Sequence, residues 1–177
     1  LELCLCLRKL KRIEIGNHTI SIEDKDARRI ITINKKKHIF KKYIHFFDVN
    51  DENALNEREN GTRKVDRQQN ITCFVPEKNE FPEYKLYTGL PTKHKIKIPL
   101  VIDAPFELTT SREEIETDCE SWNNIVRKEM YAAIVSVISS LKIDERSSVL
   151  RFAKFLYRRY GTTGVYVNDI SDCDYLT

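Results

Sequence analysis

Glycine is scarce in this sequence, with five in 177 residues, and no two of them bracket a phosphate-binding loop or a dinucleotide motif. A nucleotide pocket complete within this chain is therefore not expected. Long apolar runs are also missing, so nothing in the sequence has the length of a membrane span. Residues 1–7 contain a glutamate and lead into Arg8 and Lys9, which is not the pattern of a cleaved signal. We therefore expect a cytoplasmic protein with no membrane segment.

The five cysteines are odd in number and scattered, and none forms a C-x-x-C pair. The four histidines show no metal-ligand spacing, so neither a disulfide framework nor a structural metal is expected. A reducing compartment fits this cysteine usage best. Methionine occurs once, at Met130, so the chain starts without an initiator methionine. We expect it to be a fragment of a longer protein that forms one domain over residues 1–177.

Positive charge is concentrated in the first part of the chain. Residues 1–97 contain 21 Lys and Arg against 14 Asp and Glu, whereas residues 98–177 contain 9 against 13, giving +7 and −4. A basic half favours an anionic partner. Acidic residues interrupt it so often that charge alone is weak support for nucleic-acid binding.

Strand patterns dominate the basic part. Alternating apolar and polar residues predict an antiparallel meander over residues 9–15, 18–23 and 28–34, and further strands over 71–75 and 84–88. Residues 39–49 fit a strand or a helix equally. Residues 50–70, rich in polar side chains, predict a mobile loop or a short exposed helix. Residues 98–109 form the longest apolar run, which predicts a central strand.

The pattern changes to a helical period after this strand. Apolar residues three or four apart predict a long helix from 113 to 141. A second helix is expected over 145–160, and one more strand over 165–167. Strands followed by helices indicate an α+β fold, a two-layer sandwich of a mainly antiparallel sheet with C-terminal helices on one face.

Arg112 lies where the apolar strand is predicted to turn into the long helix. Ser111 and Glu114 have the spacing of a capping box, which would place Arg112 in the first helical turn. Unpaired backbone N–H groups, the helix dipole and a guanidinium would together suit a phosphate oxygen. The alternative is a surface arginine paired with Glu113 or Glu116, and the residue pattern taken alone favours that alternative.

Two other features have a structural and a functional interpretation. Lys93, Lys95 and Lys97 alternate, so as a strand they would present a basic stripe that contacts an anion or merely protects a sheet edge. Trp122, at helical spacing, is expected in the core. Edge protection is the favoured interpretation of the lysines.

The segment around Arg112 resembles a known family. The residues concerned are Tyr87, Leu-Pro-Thr at 90–92, Pro-Leu-Val-Ile-Asp-Ala-Pro-Phe at 99–106, Leu-Thr-Thr-Ser-Arg-Glu at 108–113 and Trp-Asn at 122–123. They are similar to the segment that follows the ATP-binding domain in sacsin-like and no-vein-like ATPases, within the gyrase, heat-shock chaperone, histidine kinase and MutL group. The resemblance implies a fold like the chaperone middle domain or the gyrase transducer domain.

The resemblance also implies a role for Arg112. In the ninety-kilodalton heat-shock chaperone, an arginine at the equivalent Ser-Arg-Glu contacts the γ-phosphate of ATP held in the preceding domain. Arg112, with Ser111 beside it, would do this here, and ATP with Mg would be bound mainly by an upstream domain. The chaperone has a glutamine where this chain has Glu116. That acid favours phosphate sensing or weak turnover over full catalysis.

The implied protein is thus a transducer domain that is not an enzyme alone but part of an ATPase. Its expected partner is the upstream ATP-binding domain, with protein clients and a homodimer left open. One alternative is a non-catalytic protein-interaction module with the same fold. A weaker alternative is nucleic-acid binding through the lysines at 35–42 and the basic stripe.

Overall fold

The computed structural model describes residues 1–7, 9–59, 65–78, 81, 83–96, 98 and 100–141. In chain order the elements are α1 (Glu2–Cys6), β1 (Arg12–Ile15), β2 (His18–Lys25), β3 (Arg28–Ile33), β4 (Lys36–Asp48), α2 (Glu52–Glu59), β5 (Gln68–Pro76), β6 (Tyr84–Tyr87), β7 (Pro91–Ile96), β8 (Val101–Asp103) and α3 (Glu120–Ser140). The predicted helix at 145–160 and the strand at 165–167 lie outside the described residues.

The eight described strands form one sheet in the order β1-β2-β3-β4-β5-β8-β6-β7. Neighbouring strands are antiparallel except β6 and β8, which run parallel. The chain therefore has an α+β fold with a mainly antiparallel sheet, as the sequence predicts.

The meander predicted from the alternating pattern is confirmed, and tight hairpins connect its strands. Asp26 and Ala27 both have positive φ between β2 and β3, and Asn34 and Lys35 both have positive φ between β3 and β4. Two consecutive positive φ values are typical of the turn whose twist matches that of an antiparallel pair. The ambiguous segment at 39–49 belongs to β4, which pairs with β5 from Phe40 to Asp48.

The two faces of the sheet carry different helices. His45 of β4 lies 2.8 Å from Glu129 of α3, measured from Nε2 to Oε2, which places α3 on the face of the odd-numbered β4 residues. Arg29 pairs across the strands with Phe40, on the other face, and donates to the carbonyl of Leu5 in α1. The prediction placed C-terminal helices on one face, and the described C-terminal helix α3 does pack on one face, whereas α1, which the sequence did not predict, lies on the opposite face.

Helix α3 covers the middle of the sheet with the face that the period predicts. Its buried apolar residues are Trp122, Val126, Met130, Tyr131, Ala133, Ile134 and Val137. They pack on β4 and β5, where Ile71 and Cys73 are buried as well. Of the helices in the described part of the chain, none combines the length and apolar character that crossing a bilayer requires.

Two predicted segments differ from what is observed. The strand expected over 98–109 is limited to β8, which is fully buried between β5 and β6. Pro105, two residues after Asp103, has no N–H to donate to a ladder, and its carbonyl accepts a hydrogen bond from Nε1 of Trp122. Within the segment at 50–70, α2 is not simply exposed, since Ala54 and Leu55 are buried and the helix packs against α3.

Candidate functional site

Arg112 lies at the tip of a closed turn formed by residues 108–115. Leu108 and Ile115 form an isolated antiparallel bridge at its base. Within the turn, the N–H of Arg112 donates to the carbonyl of Thr109 at 2.7 Å, and the N–H of Thr109 donates to the carbonyl of Glu114 at 2.9 Å. Arg112 has a φ of 59°, which is uncommon for a residue with a side chain. We call residues 108–115 the arginine turn.

The sheet edge fixes the arginine turn on one side. The N–H of Lys93, in edge strand β7, donates to the carbonyl of Glu113 at 3.0 Å. The Lys93 ammonium also forms an ion pair with the Glu113 carboxylate. This hydrogen bond raises the pKa of Lys93 above its ordinary value.

Helix α3 fixes the other side through a single buried side chain, Asn123. Its Oδ1 accepts from the N–H of Glu107 at 2.9 Å, and its Nδ2 donates to the carbonyls of Glu107 at 3.2 Å and Glu116 at 2.8 Å. Three hydrogen bonds from one amide thus clamp the two residues that flank the arginine turn, Glu107 and Glu116, to α3. The turn is held at a set position relative to the sheet and the helix.

The Arg112 side chain is exposed, and within the described ranges it has no ion-pair partner. Both acids of the alternative prediction are engaged elsewhere. Glu113 pairs with Lys93, and Oε1 of Glu116 accepts from the N–H groups of Thr117 at 2.9 Å and Asp118 at 3.4 Å. The expected pairing of Arg112 with Glu113 or Glu116 is therefore not observed.

The helix start predicted at Ser111 is wrong. Helix α3 begins at Glu120, and Ser111 is an exposed turn residue whose hydroxyl lies 3.0 Å from that of Thr109. The capping-box pattern failed because backbone groups of residues 107–116 form hydrogen bonds with each other, with β7 and with Asn123 in place of helical hydrogen bonds. Arg112 consequently has no share in the N-terminal dipole of α3.

The N-terminus of α3 is instead occupied by an acid from α2. The carboxylate of Glu57 accepts from the N–H of Ser121 at 3.3 Å and from that of Trp122 at 3.0 Å. A carboxylate at this position satisfies unpaired N–H groups and the positive end of the helix dipole. Sequence reasoning missed Glu57 because it lies 64 residues before Ser121 in a polar segment without periodic signal.

Arg58, the neighbour of Glu57, connects α2 to the rest of the site. Its guanidinium lies over the Trp122 ring, 4.2 Å from the centroid. Its Nε also lies 3.1 Å from the Glu107 carboxylate. Trp122 is fully buried, so the expectation of a core tryptophan is confirmed.

His94 lies beneath the arginine turn on β7. The N–H of Ile115 donates to its Nε2 at 3.4 Å, which requires that nitrogen to be unprotonated. Burial lowers the pKa of His94, an effect that nearby Glu114 opposes and Arg127 reinforces. The imidazole is thus held neutral as part of the scaffold.

The basic stripe is partly neutralised. Lys93 and Lys95 are exposed on edge strand β7, as the alternation predicts, but each has an acidic partner. Lys93 pairs with Glu113, and Lys95 lies 2.7 Å from Glu83. Lys97 lies outside the described residues. These pairs fit edge protection better than an anion-binding stripe.

Two residues of the family-like segment, Thr92 and Asp103, have structural roles. The N–H of Gly89, at φ 78°, donates to Oδ1 of buried Asp103 at 2.7 Å. The Thr92 hydroxyl donates to the carbonyl of Leu86 at 2.9 Å. Together they fix the turn between β6 and β7 against β8. In the part of the chain that is described, no three His, Cys, Asp or Glu side chains are grouped as metal ligands would be.

Comparison of the chain with models of known protein families, with curated proteins and with solved structures returned no match.

Proposed function

We propose that this chain is the middle, or transducer, domain of a cytoplasmic sacsin-like ATPase, and that Arg112 contacts the γ-phosphate of ATP bound by a preceding domain. One observation carries the proposal: an exposed arginine without an ion-pair partner among the described residues, at the tip of a turn that is clamped at both ends. An arginine presented in this way suits contact with a phosphate outside its own domain.

The geometry lowers the cost of such a contact. No ion pair within the described part of the chain must break before the Arg112 guanidinium turns to a phosphate. The backbone of the turn is already ordered by its own hydrogen bonds and by Lys93 and Asn123. Preorganisation of this kind leaves more of the interaction energy for binding.

Glu116 determines which version of the proposal we favour. The related chaperone has a glutamine here that helps at the phosphate, whereas the Glu116 carboxylate accepts the N–H groups of Thr117 and Asp118. It stabilises the approach to α3 and supplies no donor to a phosphate. We therefore propose that Arg112 senses ATP and supports modest turnover.

The clamps suggest how nucleotide state would be transmitted. Displacement of the arginine turn would strain the hydrogen bonds of Asn123, which belongs to α3, and of Lys93, which belongs to β7. Because α3 packs across β4 and β5, a movement of the arginine turn would be transmitted through α3 to the core of the domain. In this proposal ATP supplies the phosphoryl group. The residues of this chain position the Arg112 guanidinium and transmit its displacement to α3 and β7.

The proposal can be tested with the natural protein at full length, by comparing its affinity for a non-hydrolysable ATP analogue with that for ADP. A hydrogen bond to a charged group contributes about 1.5–3 kcal/mol, so Arg112→Ala should weaken analogue binding by roughly tenfold or more and leave ADP binding nearly unchanged. Arg12→Ala, another exposed arginine on the far sheet edge, serves as the control and should change neither affinity.

Two results would contradict the proposal: equal affinity of the Arg112→Ala variant and the wild type for the ATP analogue, or an equal loss for the analogue and ADP. In either case Arg112 would not contact the γ-phosphate. ATP-independent binding of a partner protein would then favour the interaction module.

A further inference from the structure

A second candidate site lies on the opposite face of the sheet, beside α1. A cavity of about 190 Å³ opens there between α1 and the strands β4, β5 and β8. An apolar cavity of about 150 Å³ holds a benzene molecule, so this one has room for a ring or a short alkyl chain. It contains none of the residues of the arginine turn.

One side of the cavity is apolar and partly uncovered. Leu5 of α1 and Phe74 of β5 are buried lining residues. Ile44 and Phe46 of β4 also line it, yet 46% and 62% of their surfaces remain exposed. Covering such side chains stabilises a complex in proportion to the apolar area removed from water. The exposed pair is therefore a favourable contact for an apolar ligand body.

The floor of the cavity contains an unusual polar group. Thr72 is 7% exposed, and its hydroxyl has no hydrogen-bond partner among the residues that the structure describes. In that part of the chain every fully shielded side-chain oxygen or nitrogen has a partner, so the unpartnered Thr72 hydroxyl keeps some exposed surface, and Thr72 lines the cavity. The neighbouring Asn70 amide also lines the cavity without a partner in the described ranges. Polar groups that line a cavity without a protein partner can hydrogen-bond to a ligand or to water.

Positive charge lies at one end of the cavity. Arg29, 4% exposed, already directs four of its five N–H donors to other groups, because it donates to both carboxylate oxygens of Asp24 and to the carbonyls of Leu5 and Leu7. Nζ of Lys42 lies 2.9 Å from Oδ2 of Asp24, which uses one of its three N–H donors. Two cations and one anion leave this end with a net charge of +1. Lys42 retains donors for a ligand.

Negative charge lies at the other end. Asp103 pairs across the strands with Thr72, and Thr72 pairs with Ile44, one row of side chains away from Lys42. Rows on one face are about 7 Å apart along a strand. Oδ1 of Asp103 already accepts the N–H of Gly89. A bound anion is therefore favoured at the Lys42 end and disfavoured at the Asp103 end.

We propose that this cavity binds a small organic acid whose aromatic or short alkyl body lies against Phe46, Ile44 and Phe74 and whose carboxylate accepts from Lys42. The Thr72 hydroxyl and the Asn70 amide supply further polar contacts along the floor. This site is independent of Arg112 and of the proposed ATPase.

The test uses the 177-residue chain and two probes of similar shape, 3-phenylpropionate and the neutral 3-phenylpropan-1-ol. Titration followed by amide chemical shifts should show saturable binding of the acid below about 10 mM, with shifts concentrated at residues 42–46 and 70–74. The alcohol should bind roughly tenfold more weakly, because it offers no charge to Lys42. This comparison needs no variant, so it cannot be confused with misfolding.

Variants then locate the contacts. Lys42→Met should weaken the acid by roughly tenfold and leave the alcohol unchanged, and Thr72→Val should weaken the acid by about threefold. Lys37→Met, an exposed lysine on the same strand, is the matched control and should change nothing. The proposal is overturned by absence of saturable binding, by equal affinity for the two probes, or by shifts that cluster elsewhere.

Discussion

The carboxylate of Glu57 at the N-terminus of α3 leads to a quantitative prediction about stability. It accepts two backbone N–H groups, those of Ser121 and Trp122, and the side chain of Trp122 is fully buried. Loss of a helix cap costs about 0.5–2 kcal/mol, and loss of a charge at the positive helix end costs about 0.3–1 kcal/mol. Glu57→Ala should therefore lower the free energy of unfolding by about 2 kcal/mol.

Glu57→Gln removes the charge but keeps part of the cap. Its amide has one acceptor oxygen, whereas its NH2 group cannot accept the second backbone N–H, so this variant should lose the charge contribution of about 0.3–1 kcal/mol and one of the two hydrogen bonds, and its stability should lie between those of the wild type and Glu57→Ala. Added salt should reduce the difference between glutamine and glutamate, because it screens the interaction of the charge with the helix dipole. Asn56→Ala, an exposed position on the same helix, is the control and should stay within about 0.5 kcal/mol of the wild type.

Urea denaturation of the 177-residue chain, followed by far-ultraviolet circular dichroism, measures these differences. In a chain of this size a loss of about 2 kcal/mol corresponds to a fall of roughly 4–8 °C in Tm. The reasoning is refuted if Glu57→Ala unfolds like the wild type, or if the glutamine variant is as unstable as the alanine variant.

Three further predictions concern other parts of the molecule. Asn123→Ala removes three hydrogen bonds and should destabilise the chain by about 2–3 kcal/mol. Amide hydrogen exchange at residues 107–116 should become faster, and unchanged exchange there would contradict the claim that Asn123 holds this segment in place. Hydrogen bonding to Arg29, with a contribution from Lys42, lowers the pKa of Asp24 from 3.8 to about 2. The lowered pKa stabilises the folded state above about pH 4 by about 1 kcal/mol after solvent screening, and this stabilisation is lost as the pH falls towards 2. Unfolding measured as a function of pH should show that Asp24→Asn abolishes this pH dependence and that the control Asp26→Asn does not. Burial raises the pKa of Cys73 to about 12, so iodoacetamide at pH 8 should modify Cys73 no faster than the chain unfolds, whereas rapid labelling of folded protein would refute its burial.

Local patterns predicted much of the fold. The alternation in β2 and β3 and the turn residues between them are local signals, and so is the period that places Trp122, Val126 and Met130 on one face of α3. Each depends on neighbours a few positions apart. The edge position of the lysines in β7 followed from the same kind of signal.

The wrong predictions concern segments whose structure depends on contacts with residues that are distant in the sequence. Ser111 and Glu114 have the spacing of a capping box, yet the backbone of that segment bonds to Lys93 and Asn123, and the helix starts later. Glu57 caps α3 from α2, which is distant in the sequence, and no residue pattern near Ser121 predicts this contact. The sequence singled out Arg112 as a candidate but did not predict the turn that presents it, because that turn depends on contacts with β7 and α3.

The central claim is that Arg112 acts on ATP held by another domain, and the rate of ATP hydrolysis by the natural full-length protein tests it most directly. Arg112→Ala should lower the turnover number by roughly 10- to 100-fold, and Arg112→Lys, which keeps the charge but not the fork of donors, should recover part of that loss. Turnover equal to that of the wild type in the Arg112→Ala variant would contradict the claim.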